Sequence, residues 1–307
     1  MKRAGLFLLV LPVAVTAVAY FVGPGLPDGD ESAGPAVSAA PAPGREEGAP
    51  ESSGDSEGAP GDPADDEAIA GMPPGLAAPA KKELAGKIVA SAVHSTLDWR
   101  STYGSVKDMG DGQGYTAGIV GFCTGTHDLL ALVERYTEER PGNGLARYLP
   151  ALRAVDGTDS HEGLDPGFTA AWRAEAGVEA FRRAQETERD RVYFDPAVRM
   201  AKLDGLGTLG QLVYYDAMVF HGPDTTDDGF YRLRERALAE ADTPAEGGAE
   251  EHFLDVFLDL HREAIVKKRR DSDTSRVDTT LRKFLDAGAL DLDTPLEWRV
   301  YGQTYRL

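Results

Sequence analysis

The chain of 307 residues contains a single cysteine, Cys123, so no intramolecular disulfide can form. Cys123 lies in an apolar run over residues 119–123, where we expect a buried and inert thiol. The six histidines are not spaced as metal ligands on one helix face, and the sequence has neither a dinucleotide fingerprint nor a Gly-x-Ser-x-Gly elbow. These absences predict a protein without a metal or a cofactor. They leave carboxylates as the candidate catalytic groups.

Basic residues are also in deficit. The chain has 51 acidic and 32 basic residues, a net charge of −19. Such a balance argues against a nucleic acid as partner. It is compatible with a cationic ligand attracted by the long-range field, although solubility alone would explain it equally well.

Large apolar residues are almost missing from residues 24–80, which consist mainly of Pro, Ala, Gly, Ser, Asp and Glu. A segment of this composition cannot bury enough surface to fold. We predict a disordered acidic linker that spans the distance between a membrane or cell wall and the folded domain. Before it, Lys2 and Arg3 precede an uncharged apolar stretch over residues 4–22. This layout predicts an export signal over residues 1–23, with an uncleaved membrane tether through residues 4–22 as the alternative. Either way the folded part, predicted over 81–307, is extracellular.

From Lys81 onward the apolar residues recur mostly at helical spacing, and strand patterns are scarce. The sequence therefore predicts a mainly α domain with one small sheet near a glycine-rich turn. The most apolar segment, 206–220, is predicted as the central buried helix, and it contains Asp216. A buried carboxylate is costly unless it is paired, and Arg276 is the candidate partner. Further helices are predicted over 127–139, 145–152, 170–191, 195–202, 231–241, 250–268 and 279–287, with an extended segment over 295–301.

The glycine-rich turn covers residues 110–118 and contains four glycines, a carboxylate on Asp111 and a hydroxyl on Thr116. Glycines allow a backbone to approach a ligand closely. A carboxylate and a hydroxyl on an anchored turn could hold and activate a water molecule, as a general base does. A purely structural Asp-Gly turn is the alternative interpretation.

Several stretches resemble the bacterial chitosanases of glycoside hydrolase family forty-six, and the match runs in one order over residues 81–305. The resemblance implies a two-lobed, lysozyme-like domain with a central cleft. It also implies a secreted enzyme without a cofactor that hydrolyses the β-1,4 links of chitosan, a cationic polysaccharide, with inversion. We expect a monomer. The stretches that carry the match are Gly110 to Thr116, Gly121 to Thr126, Pro141 to Leu152, Glu188 to Pro196, Tyr214 to Ala217, His221 to Pro223, Thr274 to Thr279 and Trp298.

The resemblance implies roles for individual residues. Asp111 matches the general base, and Thr116 matches the hydroxyl that holds the attacking water. Asp128 matches a cleft carboxylate that binds a glucosamine amine. The other implied residues are Gln113 and Tyr115 for substrate binding, and Asp216 and Arg276 for a buried ionic network.

The general acid is the departure from the family pattern. Its place, a glutamate in the family, falls on Val93 in the stretch 91–99. Valine cannot give the leaving sugar oxygen a proton. Related departures concern the charged residues, because Gln113 and His261 stand where the family has arginines, and Lys268 where it has an acid.

Three hypotheses remain open at this point. The acid comes from another residue, His94 or Asp98, although adjacent residues on a helix point about 100° apart. Alternatively hydrolysis is lost and a chitosan-binding module remains, with Val93 packed in an apolar stripe between Val89 and Leu97. In the third hypothesis the cleft binds another polysaccharide or a protein partner in place of chitosan.

Overall fold

The computed structural model describes residues 63–268 and 273–307. Within these ranges the chain is mostly helical, with two small antiparallel sheets, so the predicted fold class of a mainly α domain with a small sheet is confirmed. The predicted signal or tether over 1–23 and the linker as far as residue 62 lie outside the described residues. No helix in the described ranges is long and apolar enough to cross a membrane.

Ordered elements occur before Lys81, the residue at which the sequence placed the start of the folded domain. Helix α1 covers Pro63–Ala70, a 3-10 turn covers Gly75–Ala77, and helix α2 covers Pro79–His94. Leu76 is fully buried, and its N–H donates to Oε1 of Gln211 at 2.8 Å. Composition did not reveal this, because one apolar side chain among small residues leaves no periodic signal.

A three-stranded antiparallel sheet follows α2, where the sequence predicted a small sheet. Its strands are β1 (Val106–Asp108), β2 (Tyr115–Ala117) and β3 (Phe122–Cys123). Strand β2 is central, and Thr116 is in register with Cys123 of β3. The segment between β1 and β2 is the glycine-rich turn, so the sheet holds both ends of that turn.

The middle of the chain is built from short helices: α3 (Asp128–Glu139), α4 (Leu149–Val155), α5 (Phe168–Glu175), α6 (Glu179–Arg189) and α7 (Asp195–Leu203). The single helix predicted over 170–191 is divided by a turn at Gly177, whose N–H donates to the carbonyl of Ala174. Helix α7 has nearly the predicted bounds, but Asp195 is its first helical residue and not its N-cap. The chain enters α7 from α6 without a break, through a π-helical turn, Asp190–Phe194. Pro196 has no N–H to donate, and the wider turn before it lets the helix continue.

The remaining elements follow helix α8 (Thr208–His221), which is almost entirely buried as predicted. They are α9 (Phe230–Glu240), α10 (Glu250–Lys268), a π-helical turn (Val277–Leu281), α11 (Arg282–Asp286), β4 (Glu297–Val300) and β5 (Gln303–Arg306). Strands β4 and β5 form a hairpin, of which the sequence predicted only the first half. Trp298 of β4 is fully buried, and its Nε1–H donates to Oγ of Ser91 at 2.9 Å, which ties the hairpin to α2.

Asp216 on α8 is 2% exposed, and the predicted partner is present: Nε of Arg276 lies 3.6 Å from its Oδ1. Two buried histidines extend this network: His261, which the resemblance placed among the altered charged residues, and His221, which the sequence did not connect with Asp216. Nε2 of His261 lies 3.4 Å from Oδ2 of Asp216, and Nδ1 of His261 lies 2.8 Å from Nε2 of His221. Burial lowers the pKa of His221 well below its usual range, and His261, Lys268 and Arg276 lower it further. His221 is therefore neutral, and Arg276 is the charged counterpart of Asp216.

Replacing Asp216 with alanine should lower the free energy of unfolding by about 3–5 kcal/mol, because Arg276 would remain as an uncompensated buried charge. The matched control is Asp255→Ala on α10, where an exposed carboxylate pairs with Arg282 and should contribute at most about 1 kcal/mol. Urea denaturation of both variants measures the difference. Equal losses in the two variants would contradict a stabilising role for the buried pair.

Two N-terminal truncations test where the domain begins. A chain starting at Lys81 loses the buried Leu76 and the ion pairs of Asp65 and Asp66 with Arg199 on α7. It should be less stable than a chain starting at Pro63 by at least about 2 kcal/mol, the usual cost of losing a buried leucine side chain. The denaturation midpoints of the two chains measure this difference in stability. Indistinguishable midpoints would support a domain boundary at residue 80.

Candidate active site

The glycine-rich turn between β1 and β2 adopts backbone conformations that favour glycine. Gly110, Gly112 and Gly114 have φ values of +66°, +84° and +66°. A side chain is strained at such angles. At Gly114 there is also no room for one, since an added Cβ would lie 2.2 Å from Oγ1 of Thr124. The turn is therefore held tightly at its β2 end, and Gly110 and Gly112 have open space beside them.

Asp111 lies in this turn and is half-buried. Its Oδ1 accepts a hydrogen bond from the N–H of Gln113 at 3.2 Å. The preceding carboxylate, Asp108, accepts from the N–H of Gly110 through Oδ1 at 2.7 Å. The two short loops closed by these bonds orient the Asp111 carboxylate while leaving it partly open to solvent, as a base that acts on water requires.

Thr116 on β2 is in register with Cys123, and its Oγ1 lies 3.3 Å from Sγ of that residue. The same sulfur lies 3.1 Å from the carbonyl oxygen of Gly121 and 3.5 Å from Oε1 of Gln113. Burial, followed by the charge of Asp128, raises the pKa of Cys123 to about 12. The thiol is therefore neutral, and its one S–H can donate to the carbonyl of Gly121 while the sulfur accepts from the Thr116 hydroxyl, in agreement with the inert role expected from the sequence.

Val93 is located in the last turn of α2 and faces the sheet that carries Thr116. A Cβ built on Gly121 would lie 3.6 Å from Cγ1 of Val93 and 3.1 Å from Cγ2 of Thr116. The two side chains thus flank the same glycine. Val93 is half-buried and packs against the hydrophobic core. The position at which the resemblance places the acid is therefore close to Thr116 and occupied by methyl groups.

The two substitute acids suggested by the sequence are poorly suited to proton donation. Burial lowers the pKa of His94, which lies beside the backbone of Gly118 and Ile119, so the protonated ring is disfavoured. Asp98 is exposed, and its backbone carbonyl accepts from Ser101 in the 3-10 turn that follows. Neither residue has the half-buried position beside Thr116 that Val93 has.

Asp128 begins α3 and is only 8% exposed. Its Oδ1 accepts from the N–H groups of Cys123 and Leu129, at 2.9 and 3.0 Å, and from Oγ1 of Thr126 at 2.7 Å; its Oδ2 accepts from the hydroxyl of Tyr193. Burial raises the pKa of Asp128 to about 6 despite these donors. Asp128 thus holds the start of α3 against β3, a role that an acidic residue at a helix start could have suggested. Its predicted contact with an amine stays a prediction.

Tyr115 is also directed inward. It is 7% exposed, its hydroxyl donates to Oδ1 of Asp165 at 2.7 Å, and the ring of His161 stacks on it with centroids 4.0 Å apart. Tyr115 therefore packs beneath the turn. Direct contact of Tyr115 with a substrate stays a prediction, and so does direct contact of Gln113, which is half-buried.

Sequence reasoning missed His161 and Asp165, whose only signal was a turn-rich composition. Among the described residues no group of three His, Cys, Asp or Glu side chains is arranged to hold a metal ion.

Comparison with known proteins gives a consistent result. A family model described as Glycosyl hydrolase family 46 matches residues 87–296. The chain is 52% identical over 231 residues to a chitosanase of Streptomyces sp. (strain N174), covering 75% of this chain and 83% of the relative. It is 50% identical over 233 residues to a chitosanase of Nocardioides sp. (strain N106), covering 76% and 84%.

Solved structures agree as well. A structure described as a chitosanase complex superposes with a TM-score of 0.75 at 48% identity, over 76% of this chain and 99% of that one. A chitosanase mutant from Bacillus subtilis MY002, in which a glutamate is replaced by alanine, superposes with a TM-score of 0.68 at 32% identity, over 73% and 97%. The fold is thus the lysozyme-like α+β fold expected from the sequence, and the chain belongs to glycosyl hydrolase family 46, the chitosanases.

Proposed function

We propose that the protein binds chitosan at the glycine-rich turn and hydrolyses it slowly or not at all. The observation that carries this proposal is the pair of side chains that flank Gly121: Thr116, which the resemblance places beside the base, and Val93, to which the resemblance assigns the place of the acid. The site keeps the groups that activate water, and it lacks the group that protonates the departing sugar.

The base half of the reaction rests on Asp111 and Thr116. Inverting hydrolysis needs a carboxylate that takes a proton from water while the water attacks from the face opposite the leaving group. Asp111 is partly open to solvent and is oriented by the N–H of Gln113. The Thr116 hydroxyl, on the adjoining strand, would hold that water in line with the sugar carbon.

The acid half has no donor. The oxygen between two sugar rings leaves readily only when it receives a proton, and general acid catalysis contributes about 10²–10⁴-fold to such reactions. Val93 has no proton to give, and burial disfavours the protonated form of its neighbour His94. We therefore expect a turnover rate reduced by about that factor relative to a family member with a glutamate.

Binding does not need the missing acid. The Bacillus subtilis mutant chitosanase described above, with a glutamate replaced by alanine, was solved complexed with 6 GlcN. A chitosanase from Gynuella sunshinyii, 31% identical to this chain, was solved with chitotetraose. In the present chain the net charge of −19 would attract the protonated amines of the polymer. We further propose that the protein is exported and acts outside the cell, with residues 24–62 as a spacer.

Val93→Glu should increase chitosan hydrolysis, with a ceiling of about 10²–10⁴-fold set by general acid catalysis. Val93→Gln is the matched control, because it has nearly the same shape and no acidic proton. Reducing-end release from soluble chitosan measures the rate, and circular dichroism checks that both variants fold. Rapid hydrolysis by the natural protein that Val93→Glu fails to improve would contradict the missing-acid hypothesis.

Affinity for glucosamine oligomers should fall as salt is added, because charge attraction at exposed sites is screened beyond about 8 Å at physiological ionic strength. Asp111→Asn should weaken binding severalfold, and Asp98→Asn, which removes an exposed carboxylate outside the turn, should leave it unchanged. Calorimetric titration with a glucosamine hexamer measures both. Equal affinity for a neutral N-acetylated hexamer would instead favour a different polysaccharide as ligand.

A further inference from the structure

His161 lies between two carboxylates beneath the glycine-rich turn. Its Nε2 is 3.5 Å from Oδ2 of Asp108, and its Nδ1 is 3.7 Å from Oδ2 of Asp165. Both distances exceed those of good hydrogen bonds. Nε2 is buried, and no group in the described part of the chain forms a hydrogen bond with it. The ring is fixed in its plane by stacking on Tyr115, with an interplanar angle of 8°.

The two carboxylates are attached to different parts of the domain. Asp108 ends β1, and its Oδ1 already holds the N–H of Gly110 at the start of the turn. Asp165 belongs to the loop before α5, and its Oδ1 accepts from the hydroxyl of Tyr115 on β2. A group that binds both carboxylates would therefore connect the β1 end of the glycine-rich turn to its β2 end.

We propose that His161 is a positioning residue that holds the glycine-rich turn when it is protonated. An imidazolium has two N–H groups, one for each carboxylate, and charge-assisted bonds of this type shorten to about 2.7–2.9 Å. A neutral ring has only one N–H and cannot donate to both. Histidine is the side chain whose charge ordinarily changes between pH 5 and 8. The turn, and Asp111 within it, is therefore more ordered in acid than in base.

The charged groups around His161 favour this arrangement. Asp108 faces it from β1 and Asp165 from its own loop. Arg173 on α5 lies near the stacked Tyr115, and its Nη2 donates to the carbonyl of Val106 at 3.2 Å. Burial, then Asp165, raises the pKa of Tyr115 to about 12, so the phenol adds no charge. The side chains of Asp108 and Asp165 are 42% and 54% exposed, so protons can exchange with solvent.

The consequence for ligand binding rests on the proposed function. Ordering Asp111 would strengthen the binding of glucosamine oligomers at acidic pH beyond the effect of protonating the ligand amines. His252 provides a matched control, because it is an exposed histidine on α10, outside this cluster. Any pH dependence caused by the ligand itself is shared by the natural protein, His161→Gln and His252→Gln.

Hydrogen–deuterium exchange of the full chain at pH 5 and pH 8, corrected for intrinsic exchange rates, tests the proposal without any ligand. Amides 110–114 should be about fivefold more protected at pH 5 in the natural protein and in His252→Gln, since the extra stability of a charge-assisted hydrogen bond over a neutral one, about 1 kcal/mol, corresponds to about that change in the opening equilibrium. His161→Gln should show equal protection at both pH values. Unchanged pH dependence in His161→Gln, or none in the natural protein, would overturn the proposal.

Asp165→Asn supplies a second variant that keeps the hydrogen bond from Tyr115 and removes one charge, and it should reduce the pH effect on amides 110–114 by about half. If His161→Gln unfolds, Asp165→Asn tests the proposal instead, and a pH dependence of amide protection as large as in the natural protein would refute it.

A separate binding experiment compares the affinity for a glucosamine hexamer at pH 5 and pH 8 in His161→Gln and His252→Gln. Loss of binding in every variant, with normal exchange behaviour, would contradict the proposed function and leave the role of His161 in the turn intact.

Discussion

The burial of helix α8 is the constraint on which the rest of the domain depends. Almost every side chain of this helix is removed from water, and α7, α9 and α10 pack around it. A helix in this position has no solvent-facing side on which a carboxylate could be placed. Asp216 must therefore be balanced inside the protein, and the side chains that do so, Arg276 and His261, come from distant parts of the chain. The network thereby ties α8 to α10 and to the segment before the π-helical turn Val277–Leu281.

By the resemblance, the site differs from its family pattern mainly in charge. Val93 matches the place of an acid, and Gln113 and His261 match the places of arginines, whereas Asp111 and Thr116 match the carboxylate and hydroxyl of the turn. In the proposed function, these changes remove proton donation and keep the groups that hold water and a cationic sugar. Selective change of this kind is what loss of turnover with retention of binding would produce, since an unused acid and the charges behind it are costly to bury.

Histidines occur in two contrasting settings in this domain. His221 and His261 are both deeply buried beside Arg276, and burial lowers the pKa of His221, so His221 acts as a neutral hydrogen-bonding group. His161 is closer to solvent and stands between two carboxylates. The same side chain is thus a neutral hydrogen-bonding group at position 221 in the core and, in our proposal, a link between carboxylates beneath the glycine-rich turn.

The sequence by itself determined the helical class, the extent of helix α10, the small sheet and the central buried helix, because apolar periodicity and glycine placement are local signals. It also indicated the pairing of Asp216 with Arg276, because a lone carboxylate in an apolar helix requires a counter-charge. The resemblance to the chitosanases added the roles of Asp111, Thr116 and Val93. The tertiary structure alone decided that ordered elements occur before Lys81, that Asp128 and Tyr115 are directed inward, and that His161 lies between Asp108 and Asp165. These features depend on contacts between residues far apart in the chain, and such contacts leave no periodic trace in the sequence.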